Sequence, residues 1–135
     1  YADFFADFRR DKAEAMLQRL GIGLKQKIKA LSKGNKEKLG LILTMARDAR
    51  LYILDEPIAG VDPAARDFIL ETIMANKPDY ATIFLCTHLI ADIEPVLTHA
   101  IFLKNGQIAL NARADDVRQK TGKSLDELFR EASRW

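Results

Sequence analysis

A short apolar run, Leu51-Tyr52-Ile53-Leu54, leads directly into two acids, Asp55-Glu56. A fully apolar stretch of this length suits a buried strand of a parallel sheet. A second run of the same kind, Thr82-Ile83-Phe84-Leu85-Cys86, ends at Thr87-His88. Between them Asp62-Pro63 opens a helix: Asp62 is placed to cap it, and Pro63 sits where its missing N–H costs nothing. Phe68, Ile69, Ile73 and Met74 supply that helix's apolar face. Strand, helix, strand is the crossover unit of a parallel sheet, and such crossovers are right-handed.

The flanking sequence extends this α/β pattern. Phe4, Phe5, Phe8, Ala13, Met16, Leu17 and Leu20 recur mostly three and four apart, which predicts an amphipathic helix over 2–20, ended by Gly21 and Gly23. A basic linker, 25–30, leads to Leu31-Ser32-Lys33-Gly34-Asn35 and a second helix over about 36–47. After the second strand, 90–97 reads as a short helix disturbed at Pro95. Asn105-Gly106 accepts positive φ and predicts a hairpin between 100–104 and 107–110. The tail reads as polar helices over 115–120 and 124–133, the latter with a capping box from Ser124 and Glu127.

Composition narrows the function classes. With 21 basic and 19 acidic residues the net charge is +2, too small for nucleic acid or an acidic membrane to act as a bulk electrostatic partner. A single cysteine, Cys86, excludes an internal disulfide framework and a cysteine-rich zinc site, and the two histidines, His88 and His99, make no metal cluster. Cys86 reads as a small buried hydrophobe, His99 as a surface residue at a strand start, and Trp135 as a chain-end residue ordered only when docked. No apolar run reaches bilayer length. The start, Tyr1-Ala2-Asp3-Phe4-Phe5, is not a secretory signal, and the missing initiator Met suggests a start inside a longer protein. These features favour a reducing cytosol.

The residues that carry chemistry form a linked set. Ser32 and Gly34 lie at a helix start, where unpaired backbone N–H groups and partial positive charge attract phosphate. Asp55, rigidly held at a strand end, can orient Mg²⁺ or its water, and Glu56 beside it can polarise an attacking water. His88, at the end of the neighbouring strand, can reach the same crevice. Singly, each has a plainer reading: a helix cap for Ser32, a turn and a solvated face for Asp55-Glu56, a satisfied polar residue for His88, and a helix start for Asp62-Pro63. Their fixed order makes the set more specific than its members.

As a set these residues resemble the C-terminal half of the ATPase subunit of an ATP-binding-cassette (ABC) transporter. Leu31-Ser32-Lys33-Gly34-Asn35 resembles the family's signature motif. Leu51 to Pro57 resembles the Walker B motif with its following glutamate, Ala59-Gly60-Val61-Asp62 the D-loop, and His88 the switch histidine. The Lys33 variant, Val61-Asp62-Pro63 and the tail from Ser124 to Phe129 look most like bacterial multidrug or peptide exporters. The resemblance implies a partial P-loop NTPase fold, with parallel strands flanked by helices and a helical subdomain. It divides the chain into a helical subdomain with the signature (1–48), an α/β part (49–111) and a helical tail (112–135). It further implies ATP and Mg²⁺ in the complete protein, with Asp55 holding the metal through water, Glu56 as general base and His88 at the γ-phosphate. Asp62 would couple the two sites of a dimer, and Ser32, Lys33, Gly34 and Asn35 would face ATP on the second subunit. The implied partners are a transmembrane permease and a second ATPase subunit, at the inner face of the cell membrane, with no nucleic acid.

Two departures qualify the likeness. Lys33 and Asn35 stand where the signature usually has Gly and Gln. No Gly-x-x-x-x-Gly-Lys-Ser/Thr loop occurs in the sequence, so the phosphate cradle of P-loop enzymes is missing. The chain alone is therefore expected to bind little Mg·ATP, to expose apolar sheet surface, and to self-associate or pair with a polypeptide carrying the other half. Alternatives are a truncated, non-hydrolysing cassette that offers its signature to a full-length partner, or a DNA-repair ATPase head. The coil-free stretch before Leu31 speaks against the head, and the lack of basic tandem repeats against a translation-factor cassette.

Overall fold

The computed structural model describes residues 1–133. Its elements run α1 (Arg10–Arg19), α2 (Lys33–Met45), β1 (Leu51–Asp55), α3 (Pro63–Asn76), β2 (Thr82–Cys86), α4 (Ile90–Ile93), β3 (His99–Lys104), β4 (Gln107–Arg113), α5 (Ala114–Thr121) and α6 (Leu125–Ser133). Trp135 lies outside the described residues. The chain divides after Thr87 into two units.

In the first unit β1 and β2 pair in parallel, with Leu51 opposite Thr82 and Asp55 opposite Cys86. The crossover helix α3 begins as its sequence requires: Pro63 occupies the first turn, and the Asp62 carboxylate accepts a hydrogen bond from the Ala65 N–H at 3.0 Å. Tyr52 and Leu54 of β1 are buried, and so are Ile69, Leu70 and Ile73 of α3, Ile42 and Met45 of α2, and Ala13 and Met16 of α1. The Lys12 ammonium donates to the carbonyl of Asn76, the last residue of α3, at 2.8 Å. That places a cation on the negative end of the helix dipole. Arg19 lies over the Phe68 ring at 5.6 Å, a second tie between α1 and α3.

The strands differ from expectation in their burial. Neither is covered on both faces: Leu51, Ile53 and Phe84 are 54%, 64% and 49% exposed. Because side chains alternate across a strand, these three share one face with Asp55, Thr82 and Cys86. Cys86 is therefore exposed rather than a buried hydrophobe.

The first helix is also shorter than its apolar spacing predicts. Residues before Arg10 form turns instead, because side chains bind them to the segment that leads into β1. The Asp7 carboxylate takes the Arg47 guanidinium at 2.7 Å, and that guanidinium lies 3.9 Å over the Phe5 ring. Backbone bonds from Arg9 N–H to the Ala46 carbonyl and from Asp48 N–H to the Asp7 carbonyl close the contact. Phe4, on the apolar face of the helix expected over 2–20, is 86% exposed.

The second unit is the predicted hairpin with its helices. Asn105 and Gly106 both take positive φ, and β3 pairs antiparallel with β4. His99 is exposed at the start of β3, as expected, and its ring nitrogen meets Asn111 at 2.6 Å. Pro95 falls in a 3-10 turn after α4. Ile90, Ala100, Phe102, Ala114, Val117 and Leu125 form the core, with Phe129 edge-on to Phe102. The start of α6 is capped reciprocally: Glu127 N–H donates to the Ser124 hydroxyl at 3.1 Å, and Ser124 N–H donates to the Glu127 carboxylate at 2.8 Å. Glu94 adds a remote cap by accepting from the N–H groups of Leu125 and Asp126.

The Ser124 amide and hydroxyl hold the Glu127 carboxyl below its usual range. A depressed carboxylate contributes stability above its unfolded pKa and loses it as pH falls through the folded value. Urea midpoints of the wild type and Glu127→Gln, compared from neutral pH down into the acid range, are therefore expected to converge. A constant gap would show that the capping carboxylate carries none of the acid sensitivity.

Candidate functional site

The sequence-predicted residues of the first unit fall in two groups. Ser32 is the N-cap of α2, and its hydroxyl oxygen accepts from the Asn35 N–H at 3.2 Å. The hydroxyl proton is not used in that bond and can be donated outward. Lys33 and Gly34 follow on the first turn, both exposed, and Asn35 is half-buried. Asp62, the N-cap of α3, is exposed. A cavity of about 270 Å³ joins these two helix starts: Ser32, Gly34 and Asn35 line one part, and Gly60, Val61 and Asp62 another. Gly60 has φ +69, a conformation that glycine adopts without strain. The α2 start brings a positive helix end and a hydroxyl to this space, and the α3 start brings the Asp62 carboxylate.

Asp55 and Glu56 form the second group. Asp55 ends β1 and is exposed. Glu56 leaves the strand with φ +45, the left-handed region. Its N–H donates to the Cys86 carbonyl at 2.8 Å, adding one bond beyond the ladder, and its carboxylate accepts from the Thr87 hydroxyl at 2.9 Å. Thr87 is the residue that sequence reasoning missed. Only the register reveals it: Asp55 lies opposite Cys86, and the following residues, Glu56 and Thr87, are joined by the hydrogen bond just described. His88 is exposed and begins the second unit.

Among the described residues, no three or more His, Cys, Asp or Glu side chains gather as a metal site. Two adjacent carboxylates suit a cation only where phosphate oxygens and water complete its shell, which is the usual habit of Mg²⁺. The acids therefore fit a magnesium–nucleotide complex in part, and the sequence lacks the cradle for its phosphates.

The fold has counterparts among known proteins. A solved ATP-binding subunit of an ABC transporter superposes with a TM-score of 0.78 and 32% identity, over 93% of this chain and 55% of that one. The mixed α/β architecture is thus that of the ABC-type P-loop ATPases. Residues 7–91, more than half of the chain, match the family model described as "AAA domain, putative AbiEii toxin, Type IV TA system", and the chain belongs to that family. The ABC-type transporter ATP-binding protein EcsA of Bacillus subtilis is 31% identical over 106 residues, 76% of this chain and 43% of EcsA. The lantibiotic transport ATP-binding protein SrtF of Streptococcus pyogenes is 30% identical over 84% of this chain and 48% of its own length. The thiamine import ATP-binding protein ThiQ of Mesorhizobium japonicum is 32% identical over 79% of this chain and 44% of ThiQ. The chain spans about half the length of the curated relatives it matches. The stretch it matches is a portion of proteins named as ATP-binding subunits of ABC transporters.

The N-cap geometry at Ser32 yields a quantitative test. Ser32→Ala is expected to lower stability by about 1 kcal/mol and Ser32→Gly by only a few tenths, read from urea denaturation. Identical midpoints for the wild type and Ser32→Ala would mean that the cap does not form in solution.

Proposed function

We propose that this chain carries the signature, acidic-strand and switch residues of an ATP-hydrolysing subunit that drives export through a membrane permease. The observation that carries this reading is the shared cavity at the starts of α2 and α3, lined by Ser32, Gly34, Asn35, Gly60 and Asp62. The positive end of α2, the Ser32 hydroxyl and Lys38 supply the groups suited to the terminal phosphate of a nucleotide, beside the Asp62 and Glu37 carboxylates of the same lining. In this reading residues 1–48 act as the helical subdomain, 49–111 as the α/β part and 112–135 as a tail. Ser32, Lys33, Gly34 and Asn35 contact nucleotide held by a second subunit, and Asp62 couples the two sites. Asp55 binds the magnesium's water. Glu56, oriented by the Thr87 hydroxyl, takes the proton of the attacking water, and His88 donates to the phosphate. When bound, the metal supplies charge neutralisation at the phosphates.

The working state is then a dimer of such subunits under a permease, at the cytoplasmic face of the membrane. Export rests on the sequence resemblance, since the relatives include both a lantibiotic transport protein and a thiamine import protein. The bare sheet face formed by Leu51, Ile53 and Phe84 supports a covering polypeptide, which is either the P-loop half of the cassette or a second copy. A second reading, a non-hydrolysing cassette that offers Ser32 and Gly34 to a full-length partner, rests on the exposure of both residues at the start of α2.

Titration calorimetry separates these ideas. The 135-residue chain is expected to give no saturable heat with Mg·ATP up to about millimolar. Mixed with a polypeptide carrying a P-loop half, it should hydrolyse ATP, and Glu56→Gln should abolish the activity. Hydrolysis that survives Glu56→Gln would sink the catalytic assignment. Saturable binding by the chain alone, weakened by Asp55→Asn, would sink the missing-cradle account.

A further inference from the structure

The charge of this chain is strongly uneven. Residues 24–38 contain six lysines (Lys25, Lys27, Lys29, Lys33, Lys36 and Lys38) against a single acid, Glu37. The segment therefore carries +5 in a chain of net charge +2, which leaves −3 on all other residues together. Among the described residues, none of the six lysines is ion-paired.

The backbone presents the first part of this segment as a strap. Ile22 and Leu31 are buried at its two ends, and every residue from 23 to 30 is exposed. A turn bond from Gln26 N–H to the Gly23 carbonyl and a single 3-10 turn over Ile28–Ala30 hold the strap in shape. Leu24 and Ile28 stand 65% and 62% exposed between the lysines. Exposed aliphatics alternating with long cationic side chains match a lipid interface: the aliphatics enter the acyl boundary, and the lysines reach the headgroups.

We propose that the strap, residues 24–30, docks the protein on an anionic phospholipid surface. The composition of the segment selects this occupant. It holds no arginine and no aromatic residue. Single-stranded nucleic acid is gripped through aromatic stacking and arginine, and protein interfaces are enriched in arginine and aromatics but depleted in lysine. A diffuse anionic surface needs only cations close to it. This inference stands apart from the ATPase reading, because it uses no nucleotide chemistry.

The test is vesicle flotation with the full chain. The probes are phosphatidylcholine vesicles and vesicles with about one-third phosphatidylglycerol, at ~0.1 M and ~0.5 M salt. Binding is expected only to the anionic vesicles, and high salt should release it. Lys25→Gln, Lys27→Gln and Lys29→Gln together should lower the partition coefficient about a hundredfold, since each lysine near such a surface contributes roughly fivefold. Leu24→Ser with Ile28→Ser should weaken binding while leaving its salt dependence intact. All five positions are exposed, so circular dichroism should be unchanged. Four outcomes would overturn the proposal: equal binding to neutral vesicles, which points to the bare sheet face; full binding by the triple lysine variant; displacement by millimolar inorganic phosphate, which points to a discrete phosphate site; and tighter, competing binding of a short oligonucleotide at the same salt.

Discussion

The parallel pairing of β1 with β2 is the constraint from which the acidic site follows. Its register sets Asp55 beside Cys86 at the carboxyl end of both strands. One further bond, from Glu56 N–H to the Cys86 carbonyl, carries the pairing a residue beyond the ladder while Glu56 turns into the left-handed region. For a residue with a Cβ that turn costs about 1 kcal/mol, so it persists only where other contacts hold it. The extra backbone bond and the Thr87 hydroxyl on the carboxylate are those contacts. The conformation separates two neighbouring acids in direction: Asp55 keeps the strand's alternation, and Glu56 departs from it.

The same pairing leaves a debt on the other side of the sheet. Tyr52 and Leu54 are buried, while Leu51, Ile53 and Phe84 face outward, each about half exposed or more. Full burial of such side chains is worth roughly 1.5–3 kcal/mol each relative to exposure. Covering this face is therefore worth several kcal/mol, and a parallel sheet is normally covered on both faces. The chain's coverage of about half of its curated relatives gives the same picture from a different direction.

Local chemistry made much of the architecture legible. Asp62-Pro63, Asn105-Gly106 and the Ser124–Glu127 box each carry a mechanism that acts within a few residues, and each formed where it was read. The errors arose where partners distant in sequence decide the outcome. The apolar spacing over 2–20 is helical, but Asp7 and Phe5 find Arg47, forty residues on for Asp7, and the turn wins over the helix. The strand runs were read correctly as parallel and wrongly as buried, because an apolar residue records the cover it needs and not the cover it has. At the site, Ser32, Asp62 and the acids were visible as residue types. Thr87 was not, since its role depends on a register that no local pattern states.

The start of α2 shows that charge here is not arranged for helix stability. Its first turn holds Lys33 and Lys36 and no acid in the first three positions, although cations oppose the positive end of the dipole by about 0.3–1 kcal/mol each. The tail helices follow the favourable rule: α5 begins with Asp115 and Asp116, α6 with Asp126 and Glu127, and both place bases in their last turns. One chain thus contains both arrangements. The unfavourable one stands where a helix start opens on a cavity and continues a lysine-rich strap. A local stability cost retained at that position is consistent with an anion as the counterpart that the rest of the chain does not provide. Neither the nucleotide phosphate nor the lipid headgroup requires a large net charge, only a concentrated one, and that is how +5 and −3 coexist in this sequence.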